Sequence, residues 1–283
     1  MEPILQLRGV NKSFGAVQAL RNVDFEVYAG EVVGLVGDNG AGKSTLIKIV
    51  AGVYSADSGN YLVDGRRVSV TRPQDATHLG IETVYQDLAL CDNLDVVSNL
   101  FLGREETVKN LPFISSNDME RRTIEVLHQL DVKIRSVRVP VAALSGGQRQ
   151  SIAVAKTILR NARLVILDEP TAALGVAQTK QVLNLIKRLR AQGLGVVVIS
   201  HNLADVFEVV DRVIVMRLGR RVASFDIKST TTEQVVAAIT GAEFSDIADS
   251  RGDGVGPATT PSDDGSDNGN AQGQQHEQGK RGA

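Results

Sequence analysis

One segment of the chain has the composition and spacing of a phosphate-binding loop. Residues 37–44 read GDNGAGKS and match the pattern GxxxxGK[ST], between an apolar strand pattern and a helical pattern. Glycines let backbone N–H groups turn inward around phosphate, and the helix N-terminus adds partial positive charge. Lys43 suits the β- and γ-phosphates, and the Ser44 hydroxyl suits Mg²⁺. We therefore expect nucleotide phosphate to bind at Gly37, Asp38, Asn39, Gly40, Ala41, Gly42, Lys43, Ser44 and Thr45.

Two acidic residues follow a second apolar strand pattern. Residues 164–169 read LVILDE, and ligands bind at the carboxyl edge of a parallel sheet, where such a strand ends. Asp168 is suited to Mg²⁺, and Glu169 to orienting or deprotonating a water molecule near a γ-phosphate. The alternative is a solvated acidic turn before Pro170, but the phosphate loop in the same chain favours the catalytic interpretation.

A second helix start is also suited to phosphate. Residues 144–148 read LSGGQ, with Ser145 as a good N-cap and two glycines that expose backbone N–H groups. One nucleotide has one γ-phosphate, and the loop at Gly37 already binds it, so the second segment needs a different nucleotide. The simplest arrangement that provides one is two chains that meet head to tail. Each would offer its nucleotide-binding set, Ser145, Gly146, Gly147 and Gln148, to the nucleotide held by the other.

The elements around these motifs alternate between strand and helix patterns. Apolar runs predict buried strands at 31–36, 164–167 and 195–200, and helical spacing is found at 44–51, 119–130, 148–159 and 176–191. Alternating patterns predict strands at 4–10 and 17–27, and Asp64-Gly65 predicts a hairpin between 61–63 and 68–70. Gly193 is the expected C-terminal cap of the helix at 176–191. Together these patterns predict an α/β fold with a mostly parallel sheet.

Composition excludes several classes of protein. The formal net charge of −2 argues against coating nucleic acid by bulk charge, so no nucleic-acid partner is expected. Cys91 is the single cysteine, so no intramolecular disulfide can form and a reducing compartment is expected. The sequence has no apolar run of membrane-spanning length and no signal-peptide pattern at its start. Residues 245–283 are rich in Gly, Asp, Ser and Gln without aromatic residues, which predicts a disordered tail.

Over residues 1 to about 242, the sequence resembles the ATP-binding cassette (ABC) ATPases. The segments just described correspond to the Walker A, signature and Walker B motifs of that family. The resemblance implies a P-loop NTPase with a RecA-like core, an antiparallel β subdomain and a helical subdomain at about 87–143. It also implies a cassette at 1–244 that hydrolyses MgATP as a head-to-tail homodimer.

Three further residues take roles from the resemblance. Phe14, in KSFG, matches the aromatic residue that stacks on adenine. Gln86, in VYQ, matches the Q-loop glutamine that reaches the metal and the attacking water and faces a transmembrane partner. His201, after the strand at 195–200, matches the switch histidine at the γ-phosphate. The implied catalytic set is thus Glu169, His201 and Gln86, and the implied metal set is Ser44, Gln86 and Asp168.

One position departs from the general family pattern. The stretch after Asp168-Glu169 reads PTAALG, so Gly175 stands where the D-loop aspartate is usual, and contacts between the two sites of a dimer are in doubt there. Cassettes for monosaccharide uptake often read this way, and residues 12–20 and 93–104 also look like theirs. That likeness implies import of a pentose or hexose through a membrane permease, at the cytoplasmic face of the membrane. An extracytoplasmic sugar-binding protein would act indirectly.

Three alternatives stay open at this stage. The cassette could serve another cargo in either direction, because the motifs do not fix the direction of transport. It could be a non-transport ABC ATPase of translation or DNA repair, although such proteins usually carry two cassettes or a long coiled coil. It could be a purely structural nucleotide-binding module, although Glu169, the catalytic acid, is present.

Overall fold

The computed structural model describes residues 2–108 and 113–242, and the predicted tail at 245–283 lies outside the described residues. The strands in chain order are β1 Leu5–Phe14, β2 Val17–Val27, β3 Val32–Val36, β4 Ser58–Val63, β5 Arg66–Arg67, β6 Ile81–Val84, β7 Leu164–Asp168, β8 Gly195–Ile199, β9 Arg212–Arg217 and β10 Arg220–Asp226. The helices are α1 Lys43–Val50, α2 Pro73–His78, α3 Val96–Phe101, α4 Ser116–Gln129, α5 Gly146–Leu159, α6 Val176–Ala191, α7 Leu203–Val209 and α8 Thr232–Thr240.

The central sheet is mostly parallel, as the alternating patterns predict. Its strand order is β10-β9-β3-β8-β7-β6, and only the pairing of β9 with β10 is antiparallel. The phosphate loop follows β3, the acidic pair ends β7, and His201 follows β8. Because these three strands are neighbours and run in the same direction, their carboxyl ends bring the three segments to one edge.

Both faces of this sheet are buried, which explains the unbroken apolar runs. Alternate residues of β3, Val33 and Leu35, pack in a cluster with β1, β2 and α1. The other residues, Val32 and Val36, pack in a second cluster with α3, α4, α5 and α6. Strands β7 and β8 divide their side chains in the same way, so the site rests on strands that are covered on both sides.

A four-stranded antiparallel sheet, ordered β2-β1-β4-β5, covers the face that carries α1. Its β4–β5 turn has Asp64 at φ 47° and Gly65 at φ 68°, the type I′ geometry that the Asp-Gly pair predicts. The prediction of a strand at 68–70 was wrong, because the second strand is only Arg66–Arg67. Val68 adds one backbone hydrogen bond to Tyr61 and then leaves the ladder.

The predicted long helices are present with small shifts at their ends. Helix α6 has the predicted bounds, and Gly193 follows it with φ 84° and an N–H that donates to the carbonyl of Arg190. The apolar spacing at 119–130 includes Ile124, but this side chain of helix α4 is 51% exposed. The buried face instead uses Met119, Thr123, Val126 and Leu127.

Candidate functional site

Glycines shape the phosphate loop because other residues would not fit its backbone. Gly37 has φ 146°, and a Cβ there would collide with the carbonyl oxygen of Met216 on β9. Gly42 has φ 102°, and a Cβ there would lie 2.8 Å from the carbonyl oxygen of Ala19. Both values lie in the left-handed region that favours glycine. The loop is therefore held between β2 and β9, with α1 starting at Lys43.

The Lys43 ammonium group folds back over this loop. Its Nζ donates to the carbonyl oxygens of Gly37 at 2.6 Å and Asp38 at 3.0 Å. Burial lowers the pKa of Lys43, and the charges of Glu169, Asp38 and Asp168 oppose that shift. A cation held by neutral carbonyls and surrounded by acidic groups can move to a phosphate without losing electrostatic stabilisation.

The acidic pair lies beside Lys43, as its predicted role requires. Asp168 is the last residue of β7, and burial together with the charge of Glu169 raises its pKa, whereas Lys48 and Lys43 lower it. Glu169 has a left-handed backbone with φ 49° and donates its N–H to the carbonyl of Ile199. This non-glycine conformation is strained, and such strain is concentrated at functional sites.

His201 is brought to the same place by β8. Its Nδ1 lies 2.9 Å from Oε2 of Glu169, and its side chain is 78% exposed while that of Glu169 is 20% exposed. The imidazole can therefore orient the carboxylate and still reach a ligand from the solvent side. Lys43, Asp168, Glu169 and His201 form one polar cluster, which we call the catalytic cluster.

Gln86 and Phe14 make none of the contacts just described for this cluster. Gln86 is exposed two residues after β6, and its neighbour Tyr85 has a pKa raised by burial and by the charge of Asp168. Phe14, the last residue of β1, is 43% exposed, and its ring meets that of Tyr54 edge-on at 5.1 Å between centroids. Phe14 is thus available at the surface, but its aromatic partner in the chain is Tyr54.

An open pocket of about 460 Å³ adjoins the phosphate loop. Its lining includes seven of the nine residues predicted to bind phosphate, from Asn39 to Thr45. Val17, Arg21 and Leu218 also line it, and sequence reasoning did not identify these as binding residues. Leu218 is 177 residues from Ala41, and only the pairing of β9 with β3 brings them together, so no local pattern could have indicated it.

The LSGGQ segment forms a rigid helix start away from this pocket. Ser145 caps α5, with its Oγ accepting from the N–H of Gln148 and its own N–H donating to Oε1 of Gln148. A Cβ on Gly146 would meet Leu174 at 2.8 Å, and one on Gly147 would meet Gln178 at 3.2 Å. The glycines therefore let α5 pack closely on α6, in addition to exposing N–H groups. Ser145, Gly146, Gly147 and Gln148 are absent from the lining of the phosphate pocket within the described chain.

Gly175 caps the start of α6 in an ordinary conformation. Its φ is −74°, and an added Cβ would meet no atom within 4 Å. An aspartate would fit there, so this departure from the family pattern removes a charge and leaves the backbone unaffected.

Hard oxygen donors at the site are suited to a magnesium ion. Ser44 offers a hydroxyl, Gln86 an amide oxygen and Asp168 a carboxylate, and Mg²⁺ in nucleotide sites is completed by phosphate oxygens and water. The described residues hold no group of three or more His, Cys, Asp or Glu that could bind a metal unaided. Burial, and then the charge of Glu169, raise the pKa of Asp168, and a divalent cation at this carboxylate would favour its charged form.

Fold and site together define a P-loop nucleotide hydrolase, and comparison with known proteins specifies which kind. The ABC transporter family model matches residues 20–172, more than half of the chain. This chain therefore belongs to the ABC transporter family, as an ATP-hydrolysing cassette.

Curated relatives match most of this chain. The chain is 43% identical over 240 residues to a xylose/arabinose import ATP-binding protein of Sulfolobus acidocaldarius, covering 85% of this chain and 95% of that protein. It is 44% identical over 248 residues to a fructose import ATP-binding protein of Rhizobium meliloti, covering 86% and 95%. A ribose import ATP-binding protein of Caldanaerobacter subterraneus is 39% identical, but the chain spans only 49% of its length.

Solved structures agree with the fold. A nucleotide-free ATP-binding cassette from an ABC transporter matches with a TM-score of 0.71 and 26% identity, covering 85% of this chain and 96% of the other. A structure of an ATP-binding cassette in its ADP conformation matches with the same TM-score and identity, covering 85% of this chain and 100% of the other. The predictions of family and fold class are thus confirmed.

In the described part of this chain, every helix is too short or too polar to cross a membrane.

Proposed function

We propose that this chain is the ATP-binding subunit of a transporter that imports a monosaccharide. The catalytic cluster is the observation that carries the proposal, because it places Lys43, an acid pair and His201 around one phosphate-binding loop. Support for the cargo comes from the relatives, which are named for import of xylose and arabinose, fructose, and ribose. Their range does not select one sugar, and the subunit itself has no need to touch it.

Within each site, the residues divide the work by their chemistry. Lys43 transfers its hydrogen bonds from the carbonyls of Gly37 and Asp38 to the phosphates of ATP. Glu169 accepts a proton from the attacking water, and His201 orients that carboxylate from 2.9 Å away. Ser44, Gln86 and Asp168 would hold Mg²⁺, which supplies neutralising charge on the phosphate oxygens when bound.

The LSGGQ segment completes the site of a second copy. Its exposed Ser145 and the first N–H groups of α5 point to a ligand outside the pocket of their own chain. Two chains in head-to-tail contact would therefore share two ATP molecules, and stronger binding of ATP than ADP to the closed dimer would drive opening and closing. In this scheme residues 1–244 form the cassette and residues 87–143 its helical subdomain, which moves against the permease. The dimer works at the cytoplasmic face of the membrane, and a sugar-binding protein on the other side delivers cargo.

Glu169→Gln tests this proposal. The amide keeps the shape of the side chain but cannot accept the proton, so hydrolysis should fall by at least about 10²-fold while ATP holds the dimer closed. Light scattering with MgATP measures the dimer. Affinity purification of the same variant from solubilised membranes, followed by mass spectrometry, identifies what it binds.

Glu208→Gln provides the matched control. Glu208 lies on α7 and is 47% exposed in an ion pair with Lys187, so its neutralisation should leave turnover and oligomeric state unchanged. A polytopic permease captured with Glu169→Gln supports the proposal. Wild-type hydrolysis by Glu169→Gln refutes the role of the residue, and capture of ribosomal or DNA-repair proteins refutes the importer assignment.

A further inference from the structure

The turn between β9 and β10 is fastened to the phosphate loop. The N–H of Gly219 donates to the carbonyl of Ala41 at 3.1 Å, and the N–H of Arg21 donates to the carbonyl of Gly219 at 2.7 Å. A Cβ on Gly219 would lie 2.8 Å from the carbonyl oxygen of Ala19. The backbone of the turn is therefore tied both to the loop and to β2, which places Leu218 and Gly219 in the lining of the pocket.

Leu218 is an unfavourable residue for this turn in the absence of a ligand. Its φ of 48° lies in the left-handed region, which Asn, Asp and Gly adopt more readily than leucine. Its side chain is 72% exposed, and Val17, which lines the same pocket, is 66% exposed. A strained and exposed apolar side chain has a cost in the free protein, and burial under a bound molecule would offset that cost.

The part of a nucleotide that fits these side chains is the base. Lys43 and the N–H groups of the loop are suited to bind the phosphates. Apolar side chains cannot donate hydrogen bonds to a phosphate group. The flat face of adenine is the apolar part of ATP. We propose that Leu218, together with Val17, forms an apolar wall that contacts the adenine ring. This inference rests on the nucleotide site of the proposed function.

This assignment differs from the one expected for Phe14. The Phe14 ring packs edge-on against Tyr54 and has Lys12 Nζ 5.5 Å from its centroid, and it does not belong to the pocket lining. Leu218 and Val17 do belong to the lining and adjoin residues 39–45. Base binding in this chain thus uses a residue from the β9–β10 turn in addition to the start of β2.

The test separates the base from the phosphates by titration. ADP and inorganic tripolyphosphate are titrated into the wild type, Leu218→Asn and Leu218→Met by calorimetry. Asparagine tolerates the left-handed backbone and removes the apolar surface, whereas methionine keeps both volume and apolarity. We expect Leu218→Asn to weaken ADP binding by about five-fold, the loss of part of one buried leucine. Tripolyphosphate binding should stay unchanged, and Leu218→Met should bind ADP as the wild type does.

Two results would overturn the proposal. ADP affinity equal to that of the wild type in Leu218→Asn would mean that the base does not contact this residue. An equal loss of ADP and tripolyphosphate affinity would mean that the turn only shapes the phosphate loop. Lys43→Ala, measured in parallel, should lose affinity for both ligands. If it binds both normally, the phosphate site itself is misassigned, which is a failure of the proposed function that the Leu218 variants alone would not reveal.

Discussion

At the scale of single residues, the side chains suited to the chemistry lower the stability of the nucleotide-free protein. Two adjacent acids end a strand that is buried on both faces, and the pKa of Asp168 is raised because burial and Glu169 disfavour its charged form. Lys43 and His201 lie beside these acids, and the charge of Lys43 lowers the pKa of Asp168. Such residues act on a ligand, and they lower the stability of the nucleotide-free protein.

Asp168→Asn should therefore stabilise the nucleotide-free protein while abolishing Mg²⁺-dependent hydrolysis. Because the native pKa lies above the ordinary value of 3.8, ionised Asp168 opposes folding at neutral pH. At a half-buried, partly screened site we expect a rise in Tm of about 2 °C at pH 7.5. The rise should shrink as the pH falls toward the native pKa, where the wild-type carboxyl becomes protonated.

Thermal unfolding across pH, without nucleotide or divalent cations, measures this effect. Asp92→Asn is the control, because the Asp92 side chain is 70% exposed and its removal should shift Tm little. A lower Tm for Asp168→Asn at pH 7.5 would contradict the electrostatic account of the site.

Some residue roles could be predicted from sequence and others could not. Walker-type motifs are continuous in sequence, so the neighbouring residues in the chain identify Lys43, Ser44, Asp168 and Glu169 as candidates. Leu218 gave no signal, because its proximity to the phosphate loop depends on strand pairing between distant segments.

At the scale of elements, the length and burial of a helix decided whether it could be predicted from the sequence. Helix α6 spans 16 residues with a regular apolar face, so its pattern fixed both ends. Helix α3 has only six residues, and Val96, Val97, Asn99, Leu100 and Phe101 are all buried. A helix buried on all sides has no amphipathic period, so sequence reasoning missed it.

A buried asparagine holds the loop after Gln86 to α3. The Asn99 Nδ2 donates to the carbonyls of Cys91, Leu94 and Asp95, and its Oδ1 accepts from the N–H of Cys91 at 2.7 Å. Asn99 is fully buried, so its bonds cannot be replaced by bulk water. It thus fixes the segment that leads from the predicted Q-loop into the helical region.

Asn99→Ala should destabilise the protein by about 2–3 kcal/mol, because it removes four hydrogen bonds made by a fully buried side chain and leaves the Cys91 N–H without its acceptor. Urea denaturation measures the free energy of unfolding, and hydrogen exchange should show faster exchange at residues 91–95. Asn93→Ala is the matched control, since Asn93 is exposed on the same segment. Equal stabilities of the two variants would show that the Asn99 bonds do not support this loop.

At the scale of the whole molecule, the catalytic cluster and the LSGGQ helix start are separate surfaces of one chain. The family and the fold class were predicted correctly from the motifs and patterns, and the comparisons confirm them. The motifs predicted that the LSGGQ segment serves the nucleotide of a second copy, and within the described chain this segment does lie outside the lining of the phosphate pocket. The central claim is that two copies share each active site.

Mixing two inactive variants tests that claim most directly. Lys43→Ala destroys the phosphate loop, and Ser145→Arg blocks the helix start, so homodimers of either variant have no complete site. A mixed dimer joins the intact loop of one chain to the intact helix start of the other and restores one of its two sites. An equal mixture should recover ATPase activity, up to roughly a quarter of the wild-type rate from random pairing in a two-fold dimer. If the mixture stays as inactive as each variant alone, while both variants remain folded and associate, the active site is not shared.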